Sequence, residues 1–336
     1  MKKSLIALAV LAAAGAASAQ SNATVYGIAD IWFGNIKTDS GAGATTSTTK
    51  VDSGGVNGSR WGLKGSEDLG GGLKANFKLE QGFKLDAGTA TAGTAFGRVA
   101  QVGVSGGFGA IDIGKTWTAF DDISGASATV FNSALAPVNT FVDPALNSVF
   151  KTTGYKGNPG NTIRYTSPTF SGITGALSYS LDEGVAGTAV TSMSLAYEGG
   201  PLAAQFGYQS EDGVGAASAV NYTVLAASYN FGVATGKVTY GKAGNMGGVS
   251  GADANEWEIG ADFPVSAALT LSAGYAKSDD NATAGNQSRK GFGLGASYTL
   301  SKRTFVYGGL SHGSATQGAA ADSTADVYAI GIQHRF

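Results

Sequence analysis

Few residues in this chain are equipped for covalent chemistry. Its only histidines are His312 and His334, and it has no cysteine. A hydrolytic centre needs a nucleophile beside a histidine that an acid orients. Neither histidine has an identifiable acid in the sequence, so the chain is not expected to be an enzyme. Without cysteine there is no disulfide framework and no thiolate metal site, and no metal or cofactor is expected. The run Gly70-Gly71-Gly72-Leu73-Lys74 lacks the spacing and the Ser/Thr of a phosphate loop and reads as a turn. What recurs instead is charge at every second position. Lys74, Lys78, Glu80 and Lys84 form one such row, and Glu256, Glu258 and Asp262 another. Asp30, Asp112 and Glu198 take the same polar side of their own segments by parity. Mixed rows of this kind give no clear preference for either sign of charge and read first as a solvated face.

The elements that carry these rows are strands. Within 73–85 the odd positions Leu73, Ala75, Phe77, Leu79, Phe83 and Leu85 are apolar, while the even positions hold no large apolar residue. A period of two places the two sets on opposite faces. The segment is long for a soluble sheet, where about 5–6 residues are typical, and suits a tilted membrane strand of about 9–11 residues. The pattern predicts sixteen strands, at 23–34, 57–67, 72–86, 96–106, 108–117, 161–168, 172–182, 190–199, 201–211, 220–231, 233–242, 254–263, 267–278, 289–300, 303–312 and 325–336.

Connectors alternate in length. Short turns fall at 67–71, 106–107, 199–200, 232 and 301–302. Longer polar connectors fall at 35–56, 87–95, 243–253, 279–288 and 313–324. Short turns on one side and long loops on the other is the arrangement of an outer-membrane barrel. Phe231, Phe263, Tyr298, Phe305 and Phe336 fall near one edge, and Tyr179, Tyr240 and Tyr275 near the other, as two aromatic girdles would.

The N-terminus reads as an export signal. Lys2 and Lys3 precede an apolar stretch at 5–14 and the small-x-small site Ala17-Ser18-Ala19, so residues 1–19 are expected to be cleaved from a barrel domain at 20–336. No later segment holds eighteen consecutive apolar residues, which argues against a helical membrane protein. With 53 glycines, 6 prolines and a net charge of −2, the chain is neither collagenous nor a nucleic-acid binder.

The fold class that follows is all-β: a transmembrane antiparallel barrel of about sixteen strands. In lipid a sheet satisfies its backbone only by closing on itself, and that many strands enclose more space than side chains fill. Inward glycines such as Gly291, Gly293 and Gly295 are then tolerable, because no packed core is required. One connector, 118–160, is too long for a plain loop. It is expected to fold into the lumen as a constriction loop. Val130, Phe131, Leu135, Phe141, Val142, Leu146, Val149 and Phe150 would pack on the wall, with Asp121, Asp122 and Asp143 toward the passage.

The chain resembles the general porins of Gram-negative bacteria, in their β-proteobacterial branch, over essentially all of 20–336. The resemblance rests on Val25-Tyr26-Gly27, the run from Ser59-Arg60-Trp61-Gly62 to Asp68-Leu69-Gly70, Phe108-Gly109, Ile113-Gly114-Lys115, the run from Ile163-Arg164 to Ser167-Pro168, and His334-Arg335-Phe336. It implies a sixteen-stranded barrel that forms homotrimers, with its third loop folded inward. It also implies a water-filled channel for passive transport of small ions and hydrophilic solutes. Such a protein sits among outer-membrane lipid and lipopolysaccharide. Arg60, Lys115 and Arg164 resemble the family's basic wall at the constriction, and Lys78 joins them by parity. Phe336 resembles the signal read by the barrel assembly machinery. Ile28 stands where the enterobacterial pattern has a lysine. The alternative is a solute-specific outer-membrane channel, which calls for an aromatic ladder or a dense one-sign row along the lumen.

Overall fold

A computed structural model describes residues 22–41, 43–91, 95–123, 129–139, 149–281, 286–317 and 322–336. The expected export signal at 1–19, the candidate Asp143 and the expected wall-packing residues Phe141, Val142 and Leu146 lie outside the described residues. The described strands are β1 (Asn22–Asp39), β2 (Thr45–Ser53), β3 (Arg60–Gly70), β4 (Leu73–Lys84), β5 (Thr89–Ala90), β6 (Val99–Gly106), β7 (Gly109–Lys115), β8 (Thr162–Thr166) and β9 (Ile173–Ser180). They continue as β10 (Val190–Gly199), β11 (Leu202–Glu211), β12 (Val220–Asn230), β13 (Thr235–Gly244), β14 (Ala254–Pro264), β15 (Leu269–Asp280), β16 (Gln287–Ser301), β17 (Thr304–Gln317) and β18 (Ser323–Arg335).

These strands fill sixteen barrel positions. β2 pairs with the distal half of β1 and β3 with its proximal half, so the two form one interrupted strand. β5 is a two-residue flap on the end of β4. Every neighbouring pair is antiparallel, and β18 returns to β1 with Ile28 opposite Arg335 and Asp39 opposite Thr324. The sixteen positions therefore close into a ring, while β2 pairs only with β1 and β5 only with β4 among the described residues. The seam is completed by Phe336, which exchanges backbone hydrogen bonds with Gly27 at 3.0 and 3.1 Å. Its ring lies where a Cβ on Gly27 would stand, 2.2 Å from the Phe336 Cζ. The small size of Gly27 thus has a cause within the chain.

The expected alternation is present, with its sense inverted relative to a soluble protein. On β16, Phe292 and Leu294 are exposed while Arg289, Gly291 and Gly293 are buried. Leu195, Leu225, Ile259 and Ile330 are exposed in the same way on their strands. An apolar face left open all round a closed sheet is one made to meet lipid. Tyr179, Tyr240, Phe231, Phe263, Tyr298 and Phe336 are exposed on that face, as girdle residues are.

Three segments expected as connectors are strand instead. β1 and β2 run well into 35–56, and β15–β16 and β17–β18 run into 279–288 and 313–324. Beyond the bilayer neither face meets lipid, so the apolar period vanishes, yet the backbone still has to pair. Side chains reinforce the first extension, where Asn35 donates to Thr49 at 2.9 Å and Thr38 and Thr46 share a 2.6 Å bond. The turn at Gly71-Gly72 is as expected, with positive φ of 62° and 82° that glycine adopts freely.

Candidate functional site

The polar face of the sheet carries two structures: a set of seats that hold the long connector after β7, and a cluster of bases around one acid. The inward glycines Gly291, Gly293 and Gly295 were expected to face no packed core, and that expectation is corrected. Gly207, Gly274, Gly293 and Gly295 are small because the connector lies on them. A Cβ would come within 2.2 Å of Ile123 Cδ1 at Gly207, 1.9 Å of Thr129 Oγ1 at Gly274, 2.2 Å of the Leu135 carbonyl at Gly293 and 2.6 Å of Val130 Cγ1 at Gly295.

Several peptide groups of the connector meet the wall directly. At its start Ala119 donates its N–H to Ser178 Oγ at 3.1 Å and Phe120 to Ser192 Oγ at 3.4 Å. Phe120 also packs edge-on against Tyr155, with centroids 4.8 Å apart, and against Tyr222 at 6.2 Å. In the middle Thr129 Oγ1 donates to Glu258 at 2.6 Å, Val130 N to Ser272 Oγ at 2.8 Å and Ala134 N to the Gly55 carbonyl at 2.7 Å. Val130, Leu135, Val149 and Phe150 are buried there, as expected of the connector's apolar residues. Toward its end Glu256 accepts from the N–H of Lys151, from Thr152 N at 3.1 Å and from Thr152 Oγ1 at 2.6 Å. Glu211 accepts from Lys156 N at 2.6 Å.

These contacts revise the roles of the acids that parity placed on the polar face. Glu256 and Glu258 are 0% and 2% exposed. They serve as acceptors for connector amides and are not solvated charges. Asp30 is likewise fully buried. It accepts N–H groups from Gly55, Val56 and Asn57 at 2.9–3.2 Å and the Tyr307 hydroxyl at 2.7 Å. It thereby pins the irregular stretch between β2 and β3.

The bases gather on the opposite arc. Glu80 receives Arg98 Nε at 2.7 Å and the Tyr26 hydroxyl at 2.9 Å, with Lys78 Nζ at 3.6 Å and Arg60 Nε at 3.9 Å. Of the candidate residues, Arg60 and Lys78 are therefore brought together. Lys115 and Arg164 engage the connector instead. Lys115 Nζ donates to the Asn158 carbonyl at 2.5 Å. Arg164 donates to both oxygens of Asp122, at 2.7 and 2.6 Å, and to the carbonyls of Trp117 and Thr118 at 3.1 Å. Asp122 is thus paired with a wall base directly beside it. Asp121 does not face open water. It is half-buried and accepts the Tyr155 hydroxyl. Burial pushes its carboxyl above the ordinary aspartate range; the Tyr155 bond works against that and the adjacent Asp122 charge adds to it.

Arg98 was not among the candidate residues. Strict alternation assigns it the side of Val102 and Val104, which are exposed on the apolar face. It sits one residue before β6 begins, next to a turn where Phe96 has φ 53°, so alternation does not bind it. Its guanidinium stacks over Trp117 at 5.1 Å, and Asn158 Nδ2 donates to its carbonyl at 2.9 Å.

One histidine does have an acid partner, contrary to expectation. His312 Nδ1 lies 2.7 Å from Asp326 Oδ1. The pair is on the apolar side of the sheet, 5.7 Å from the Phe292 ring, across the wall from the cluster around Glu80.

Comparison with known proteins gives a consistent picture. The family model described as Gram-negative porin matches residues 5–318. Outer membrane porin protein 32 of Delftia acidovorans is 35% identical over 348 residues, covering 99% of this chain and 95% of the relative. Among solved structures, the anion-selective porin from Comamonas acidovorans superposes with a TM-score of 0.76 at 28% identity, over 94% of this chain and all of that one. The trimer form of OmpT, an outer membrane protein of Vibrio cholerae, shares the fold at a TM-score of 0.67 and 18% identity, over 94% of this chain and 99% of that one.

Proposed function

Because the chain belongs to the Gram-negative porin family and is an outer-membrane β-barrel porin, we propose that it is a general diffusion porin whose passage favours small hydrophilic anions. The polar face lines the lumen, and the described residues of the connector lie within it as the constriction loop. Its seats on Ser178, Ser192, Gly274, Glu256 and Glu258 all belong to that face and support this placement.

The observation that carries the anion preference is an unequal contact with water. Glu256 and Glu258 are buried under the loop and occupied by its amides. Arg60, Lys78 and Arg98 keep side-chain exposures of 21%, 35% and 25% around a Glu80 that is 3% exposed. Three cations against one anion leave this part of the wall positive, and a narrow passage with low-dielectric walls focuses such a field. The anion selectivity named for the Comamonas relative agrees with this reading.

Residues 1–19 as the export signal, Phe336 as the signal for barrel assembly and a homotrimeric assembly belong to the same proposal. Proteoliposome swelling with neutral sugars of rising size tests its core. A rate that falls smoothly with size, without saturation, is the expected result. Saturation by one sugar would replace the general pore with a solute-specific channel.

A further inference from the structure

The wall is interrupted between β2 and β3, and the interruption reaches the constriction loop. After β2 the chain leaves the ladder at Gly54, where φ is 81°, and rejoins it at β3 (Arg60–Gly70). The strap between them, 54–59, turns onto the polar face. There a Cβ on Gly55 would come within 2.1 Å of the Tyr307 hydroxyl and 2.9 Å of Trp32 Cδ1, both side chains being buried. A single residue of β1 holds the strap at its start, middle and end. Gly54 donates its N–H to the Asp30 carbonyl at 2.9 Å. The successive N–H groups of Gly55, Val56 and Asn57 donate to the Asp30 carboxylate at 2.9, 3.2 and 2.9 Å. Ser59 Oγ receives the Asp30 N–H at 3.0 Å and donates to its carbonyl at 2.9 Å. Successive peptide N–H groups aimed at one spot make an anion-binding nest, and here the chain's own wall supplies the anion.

The strap in turn holds the loop. Gly55, whose N–H is bound by Asp30, turns its carbonyl to the Ala134 N–H at 2.7 Å. Ala134 lies between Ser133 and Leu135, in the part of the loop that covers Gly293 and Gly295. The seats Ser178, Ser192, Glu256, Glu258 and Ser272 stand on β9, β10, β14 and β15. The strap contact comes instead from beyond the β18–β1 seam, and it is backbone to backbone, so no side-chain rotation releases it. Asp30 itself is 0% exposed and has no contact with the passage. We propose that it is nonetheless a positioning residue for that passage. Its carboxylate fixes the strap, and the Gly55 carbonyl fixes the middle of the loop, so losing the carboxylate lets the constriction move. The proposal rests on the reading of the connector as the constriction loop.

Asp30→Ala empties the nest but keeps its three N–H groups, and a small carboxylate added to the solution should refill it. Open-channel noise and protease cleavage within 118–160 are read in potassium gluconate, whose anion is too large for the vacated space. Both are read again with potassium formate added. Asp30→Ala is expected to raise both severalfold in gluconate and to return toward wild-type values with formate, which leaves the wild type unchanged. Wild-type noise and cleavage in Asp30→Ala, or a rise that formate does not reverse, would overturn the proposal. Asn57→Pro keeps the acid and removes one of its donors, so it separates loss of the strap contact from loss of a charge. It is expected to raise noise and cleavage with no rescue by formate. Unchanged values in Asn57→Pro would overturn the proposal, and this variant decides where Asp30→Ala fails to fold. A wild type that forms no channels would instead sink the porin reading, whereas normal wild-type channels with an unmoved loop in both variants would sink this proposal alone.

Discussion

Arg164 on β8 closes on Asp122 of the long connector through both carboxylate oxygens, at 2.7 and 2.6 Å. The pair also fixes the connector's first turn, because Nη1 of the same guanidinium holds the Trp117 and Thr118 carbonyls. Both bonds to Asp122 come from Nη2, so the pair is charge-assisted without being the two-nitrogen fork. Pairing cancels much of the charge of both groups, so the proposed field along the passage rests on the bases around Glu80.

Asp122→Asn should therefore increase anion preference, since it frees Arg164 while leaving a side chain that still accepts a hydrogen bond. Arg164→Gln should move preference toward cations and loosen the loop's first turn. Reversal potentials in a salt gradient check both signs. Equal potentials for the two variants would contradict the pairing.

Glu256→Ala should unseat the loop while leaving the barrel intact. It strips partners from the N–H groups of Lys151 and Thr152 and from the Thr152 hydroxyl, and each buried group left unsatisfied costs about 1–3 kcal/mol. Faster cleavage within 118–160 by an added protease, with unchanged heat-resistant β-structure, is the expected pair of results. Loss of the β-structure itself would mean that Glu256 serves the wall.

Gly293→Val should displace the loop from the opposite direction. The added Cβ meets the Leu135 carbonyl at 2.2 Å, and backbone cannot swing aside as a flexible side chain can. Overpacking of this kind costs about 1–3 kcal/mol. Leu294→Arg, one residue along but lipid-facing, should impair insertion instead, by about 2–4 kcal/mol at mid-bilayer. Folding yields in vesicles separate the two: near-normal for Gly293→Val, reduced for Leu294→Arg.

The Asp121 carboxyl gives the loop a pH dependence. Burial raises its affinity for a proton above the ordinary aspartate value, so the seated loop binds that proton more readily than a released loop does. Seating is then strongest below the ordinary aspartate range and weakens as pH rises through the raised value. Open-channel noise should increase over that window in the wild type and stay flat in Asp121→Asn. A flat wild-type profile would remove Asp121 from the seating.

The sixteen barrel positions were legible in the sequence because one face of each strand meets lipid and the other does not. Where that asymmetry ends, as in 35–53, the pattern ends too and strand reads as loop. Arg60 and Lys78 were legible by parity and by resemblance. Arg98 was not, because it lies just outside the ladder that makes parity meaningful. The burial of Glu256 and Glu258 was also hidden. A carboxylate facing water and one facing a folded-back loop occupy the same place in an alternating pattern. Only contacts more than a hundred residues apart in sequence, such as Thr129 to Glu258, distinguish them.

The reversal potential of single channels in a potassium chloride gradient, measured for the wild type and Arg98→Glu, tests the central claim most directly. A passive anion-favouring passage predicts ohmic steps that grow with salt concentration. It also predicts a wild-type potential on the anion side that moves toward the cation side when Arg98 becomes acidic. Absence of channel steps, or a wild-type potential on the cation side that Arg98→Glu leaves unmoved, would contradict it.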